Sequence, residues 1–105
     1  MKRGEIWAVK VAAADGGLPK AAHPCVVLTP TELNEHLRTV IVAPLSTRAH
    51  AAPFRVPVTH AGKRGQIVLD QCQTVDKSCL TTRIGALSNT TLGKALTVLQ
   101  ELFAD

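Results

Sequence analysis

Aromatic side chains are nearly absent: one tryptophan and two phenylalanines, Trp7, Phe54 and Phe103, with no tyrosine. Single-strand binding proteins stack successive bases on aromatic platforms, so an extended platform of that kind is excluded. Cysteine is sparse, odd in number and without C-x-x-C spacing. Cys25, Cys72 and Cys79 therefore read as reduced, mostly buried thiols rather than a disulfide framework or a zinc site. No apolar run approaches the ~20 residues of a transmembrane helix. The start, Met1-Lys-Arg-Gly-Glu5, turns into alternating residues instead of a signal-peptide core, which sets the expectation of a cytoplasmic protein without membrane contact. The chain has no Walker loop, G-x-G-x-x-G, H-E-x-x-H or serine elbow. Its acids are too scattered to hold magnesium for two-metal phosphoryl chemistry, and near Asp70 the pair Asp76-Lys77 reads as a turn. No metal and no cofactor are expected.

The chain does carry a one-signed stretch. The net charge of +4 is mild, but no acid occurs from His36 to Leu69, while Arg38, Arg48, Arg55, Lys63, Arg64 and three histidines fall there. Such a surface attracts polyanions, of which phosphate backbones are the commonest. The bland alternative is a solvated basic face balanced in space by Glu5 or Glu32. With 105 residues and a hydrophobic share of 46%, one domain over residues 1–105 with one modest core is expected.

Hydrophobic periodicity supplies the elements. Glu5–Val11 reads as a first strand, Ala12–Ala22 as a loop carrying Asp15-Gly16-Gly17 and Pro19, and Pro24–Leu28 as a buried second strand. Thr29-Pro30-Thr31-Glu32 predicts a helix start, with Thr29 as N-cap, Glu32 closing a capping box, and Leu33 and Leu37 sharing one face. Thr39–Ala43 is a third strand ended by Pro44. Phe54–Val58 alternates as a strand that Pro57 assigns to an edge or a bulge. A turn at His60–Arg64 precedes a buried strand through Ile67, Val68 and Leu69. Leu80–Leu87 is a last strand. Ser88 then caps a helix whose stripe is Leu92, Ala95, Leu96, Leu99, Leu102 and Phe103. Short, closely spaced strands with one terminal helix imply a mainly β fold, a small, strongly curved barrel capped by that helix.

The buried strand runs into Asp70-Gln71, and an unpaired buried polar group costs roughly 1–3 kcal/mol. Either these side chains tie neighbouring loops, or Asp70 faces a cleft and does chemistry. Without a metal, phosphodiester cleavage suits RNA, whose 2′-hydroxyl is an internal nucleophile. The protein then supplies a base, an acid for the departing 5′-oxygen, and donors around the phosphorane.

Several segments in order carry a resemblance: Arg3-Gly-Glu-Ile-Trp7, Pro24-Cys-Val-Val-Leu28, Leu33-Asn34, Thr39-Val-Ile-Val-Ala-Pro-Leu-Ser46, Gln66-Ile-Val-Leu-Asp-Gln71 and Thr74-Val-Asp-Lys77. With this order and spacing the chain resembles the MazF/PemK family, the ribonuclease toxins of bacterial toxin–antitoxin pairs. The resemblance implies an SH3-like barrel of the CcdB/PemK type that forms a homodimer. It implies metal-independent cleavage of single-stranded RNA at short sequences, leaving a cyclic phosphate and a 5′-hydroxyl. A cognate antitoxin protein would cover the RNA groove, and operator DNA would be reached only through that antitoxin.

Carried over by position, the resemblance puts a small hydroxyl donor at Ser46 and an acid at Asp70. The arginine that usually precedes the proline of the second strand is His23 here. A Glu or His used in the preceding loop falls on Leu18, and an arginine two residues before the acid falls on Val68. The candidate catalytic residues are thus His23, Ser46 and Asp70, with Thr47, Arg48, Arg55, Lys63 and Arg64 binding RNA. His23 suits proton transfer at neutral pH and is held extended by the following proline, but it lacks the planar two-point clamp of arginine, which implies an attenuated enzyme. His36, His50 and His60 read as scattered surface residues. The competing reading is a non-catalytic binder on the same barrel, akin to toxins that grip DNA gyrase, or an antitoxin- or RNA-binding module.

Overall fold

In the computed structural model, residues 1–10 and 22–104 are described. The predicted loop Ala12–Ala22, Leu18 within it, and the end of the first predicted strand at Val11 lie outside the described residues except for Ala22. Among the described residues, seven strands and two helices follow in order: β1 Glu5–Val9, β2 His23–Val27, α1 Thr31–His36, β3 Thr39–Ser46, β4 Val56–His60, β5 Lys63–Ile67, β6 Gln73–Asp76, β7 Leu80–Ala86 and α2 Asn89–Leu102. Single 3₁₀ turns at Leu69–Gln71 and Lys77–Cys79 flank β6. The strands form one curled antiparallel sheet in the order β4-β5-β3-β2-β1-β7, and β6 pairs with β3. The mainly β fold with a C-terminal helix is as expected.

The middle strands are buried on both faces because the sheet curls round one side and α2 covers the other. Cys25 and Val27 of β2 join Val9, Val40, Val42, Val75 and Leu80 in one cluster. Their neighbour Val26, with Leu28, joins Ala43, Val56, Ile67, Leu69 and Ala95 of α2 in the second. Ser88 caps α2 as its sequence indicates, its hydroxyl accepting from Thr91 N. The stripe packs as far as Val98 and Leu99, but Leu102 and Phe103 stay outside, Phe103 at 78% exposure. Pro57, which has no N–H to donate, sits in β4 at one end of the strand order.

Three local expectations are corrected. Pro44 does not end β3, which runs on to Ser46 and changes partners: Thr39–Val42 pair with β6, and Leu45 and Ser46 pair with β5. The capping box at α1 does not form, because its N-cap is Pro30 without a side-chain bond and Thr29 Oγ1 donates instead to Asn34 Oδ1 at 2.6 Å. Leu33 and Leu37 are both exposed. The buried strand ends at Ile67, so Asp70 and Gln71 stand exposed on a 3₁₀ turn rather than closing a buried strand.

Candidate functional site

The ends of β2, β3, β4 and β5 meet at one edge of the sheet. In the β2–β3 register Cys25 faces Pro44, and continuing it by two residues sets His23, the first residue of β2, across from Ser46, the last of β3. On the other side of β3, Ser46 faces Gln66 of β5. Gly65 makes this junction possible. A Cβ there would lie 2.5 Å from the Ser46 carbonyl oxygen and 3.0 Å from its carbon, so only glycine lets the two backbones come so close. Ser46 Oγ accepts from Arg48 N at 3.2 Å, turning the chain sharply out of β3.

A cleft of about 560 Å³ opens at this edge, lined by His23, Ser46, Thr47, Arg48, His60 and Lys63 over an apolar floor of Pro24, Leu45 and Val58. A second cleft of about 430 Å³ continues past His23 and Ser46 to His50, Arg55, Val68 and Gln71. Together they form an open groove in which, among the described residues, cations outnumber acids. Arg64 points to the other face of β5, into a neighbouring depression that shares Thr47 and Gly65 with the first cleft.

The sequence candidates thus divide. His23, Ser46, Thr47, Arg48 and Lys63 come together. Asp70 lines neither cleft and reaches the groove through Arg55, whose Nε donates to Oδ1 at 3.1 Å and Nη2 to Oδ2 at 3.3 Å. The hydrogen-bonded Arg55 guanidinium holds the Asp70 carboxyl below the usual carboxylate range. Arg55 Nη1 also donates to His50 O at 2.9 Å, and its guanidinium lies 5.4 Å from the Phe54 ring centroid. Asp70 is therefore an ionised, weakly basic partner that fixes a cation.

Two histidines expected to be scattered on the surface lie on the groove walls, His60 in the first cleft and His50 in the second. The sequence did hold a signal for His60: it continues the alternation of Val56 and Val58, but the predicted strand stopped at Val58. Cys25, two residues from His23, is no nucleophile here, because burial pushes its thiol up to about 11. Among the described residues, no three or more His, Cys, Asp or Glu side chains are grouped to hold a metal ion.

Comparison with known proteins matches residues 2–103 to the family of PemK-like, MazF-like toxins of type II toxin–antitoxin systems. The chain is 32% identical over 81 residues to the endoribonuclease PemK of Escherichia coli, an alignment that covers 72% of this chain and 61% of that protein, less than two thirds of its length. Among solved structures, Mycobacterium tuberculosis toxin MazF-mt6 superposes with a TM-score of 0.79 at 24% identity, covering 94% of this chain and 95% of that one. MazE–MazF from Deinococcus radiodurans gives 0.77 at 22% identity, covering 99% and 95%. At these identities the structural likeness establishes the fold.

Proposed function

This chain belongs to the PemK-like, MazF-like toxins of type II toxin–antitoxin systems, and from that premise we propose that it is the toxin of such a module, a sequence-specific endoribonuclease cutting single-stranded RNA without a metal ion. The observation that carries the reading is the groove at the ends of β2, β3, β4 and β5, where a hydroxyl, imidazoles and cations from separate strands line one open cleft. An RNA strand laid along it sets a phosphate at Ser46, which donates a hydrogen bond, with Arg48 and Lys63 beside it to offset charge on the phosphorane. The 2′-oxygen attacks the adjacent phosphorus, the bond to the 5′-oxygen breaks, and a cyclic phosphate and a 5′-hydroxyl remain. His23 serves in proton transfer and as a cation, and the missing arginine leaves the enzyme attenuated. Asp70 acts at one remove, as the residue that positions Arg55 against the groove wall. Thr47 and Arg64 extend contact with the RNA beyond the scissile phosphate.

The same proposal takes residues 1–105 as one domain acting as a cytoplasmic homodimer, which a short antitoxin silences by covering the groove and through which alone operator DNA is engaged. The test is cleavage of a long single-stranded RNA in excess EDTA, with the ends of the products mapped. Cuts at recurring short sequences leaving 5′-hydroxyl ends are expected. His23→Arg separates the two parts given to His23: a gain on the order of 10²–10³ is the value of a restored donor to the phosphorane, and a loss of cleavage marks His23 as a proton carrier. No cleavage by either protein at high concentration would overturn the enzyme and favour a non-catalytic binder.

A further inference from the structure

His60 stands at the inward-facing end of β4. Along the strand Val56 is buried, Val58 and His60 are half-buried, and Pro57 and Thr59 between them are exposed. The side chain in phase with two core valines thus continues the inner face past the end of the core and into the cleft. Two features hold it there. The turn at Ala61 and Gly62 has φ of 52° and 76°, the left-handed pair of a tight hairpin, with His60 in register with Lys63. The imidazole also rests on the bare backbone of Gly85 in β7. A Cβ at Gly85 would lie 3.3 Å from His60 Cε1 and 3.6 Å from Nδ1. The ring is therefore set by packing between strands at opposite ends of the sheet order, not left to wave from a loop.

We propose that His60 is a second acid–base group of this groove, working as a pair with His23 across the phosphate at Ser46. The inference rests on the endoribonuclease reading. Cleavage needs two proton movements at once: the 2′-hydroxyl gives up its proton as the 2′-O–P bond forms, and the 5′-oxygen takes one as the P–O bond breaks. One neutral imidazole accepts the first proton and one imidazolium supplies the second, and solvent exchange restores both rings. Among the described residues, none that lines the cleft is a carboxylate that could take either task. The charged groups facing His60 there are His23, Arg48 and Lys63. From β7 the neighbour is Gly85, against which Ile6 of β1 also packs, and Glu5, beside Ile6, is engaged by Arg83 and Trp7.

The experiment measures RNA cleavage by the full chain between pH 5 and 9 in EDTA, for the wild type, His60→Ala and His60→Gln, with affinity for a 2′-deoxy analogue of a mapped cut site measured beside it. The wild type should give a bell-shaped profile. Both variants should lose 10²-fold or more in kcat/KM, keep analogue affinity within about threefold, and lose one limb of the bell. Gln retains bulk against Gly85, so equal losses in the two variants separate proton transfer from packing. Variants that cleave within threefold of wild type with both limbs intact would overturn the role of His60 and leave the endoribonuclease standing. A fall in analogue affinity that accounts for the whole loss, with the profile unchanged, would likewise reduce His60 to a wall of the groove. A wild type that does not cut at all would remove both readings together.

Discussion

Asn34 lies near the start of β3 and Ser46 ends it, and the polar groups around the two are treated in opposite ways. Asn34 is buried with 1% exposure, and its neighbours satisfy it completely. Its amide donates to Met1 O at 3.1 Å and to Thr29 O at 3.0 Å, its side-chain oxygen accepts from Thr29, and its backbone carbonyl accepts from Lys77. Arg3 closes the same hub by donating to Leu28 O and, through its N–H, to Thr31. Around Ser46, by contrast, His23, Arg48 and Lys63 turn their side chains to an open cleft. A buried network gains its strength from internal pairing. A groove for a polyanion needs its donors unspent, and its stability must come from the core beneath.

The sharpest break of that contrast is Asn34→Ala. It leaves two part-buried carbonyls without their donor, so a loss of roughly 1–3 kcal/mol in unfolding free energy is expected. RNA cleavage measured well below the melting temperature should hardly change. A parallel loss of cleavage in the still-folded variant would mean that the two ends of β3 are not independent.

Gly65→Ala strikes the other end. Its Cβ would press on the Ser46 carbonyl, so either the backbone yields, at about 1–3 kcal/mol, or Ser46 moves off the cleft wall. Activity should fall further than stability, as read by kcat/KM against denaturant midpoint. Equal falls would show that Ser46 does not depend on this contact.

The Arg55–Asp70 pair lies between the two extremes, structured yet partly exposed at 19% and 29% of side-chain area. The folded pKa of Asp70 lies below its unfolded value. Its pairing therefore stabilises the fold above the unfolded value near pH ~3.9 and is lost as pH falls through the folded value. Asp70→Asn should cost under about 1 kcal/mol at neutral pH, with the gap from wild type closing in acid. A gap that persists at the acid end would assign the effect to something other than this ion pair.

Arg48→Ala makes the smallest change, with little effect on stability. The slope of RNA affinity against salt should flatten by about 0.7 for one phosphate contact on a single strand. Arg38→Ala, on a residue that lines neither cleft, should leave the slope as it is. If the two variants behave alike, the cations of the groove do not act locally.

What the sequence determined by itself is the part whose physics is local. Ser88 and the apolar spacing after it specified α2, runs of β-branched residues located most strands, Pro57 marked an edge, and the ordered segments from Arg3 to Lys77 indicated the family. Tertiary structure decided the rest. Glu32 could complete a capping box only if Thr29 were unengaged, and Asn34 takes its hydroxyl. Gln73–Asp76 has a single buried residue, Val75, and becomes strand β6 only because β3 presents a free edge to it. Where Asp70 points depends on Arg55, fifteen residues earlier. The meeting of His23, Ser46 and His60 is invisible along the chain, because strand register and sheet curl set it, and both are properties of pairings between residues far apart in sequence.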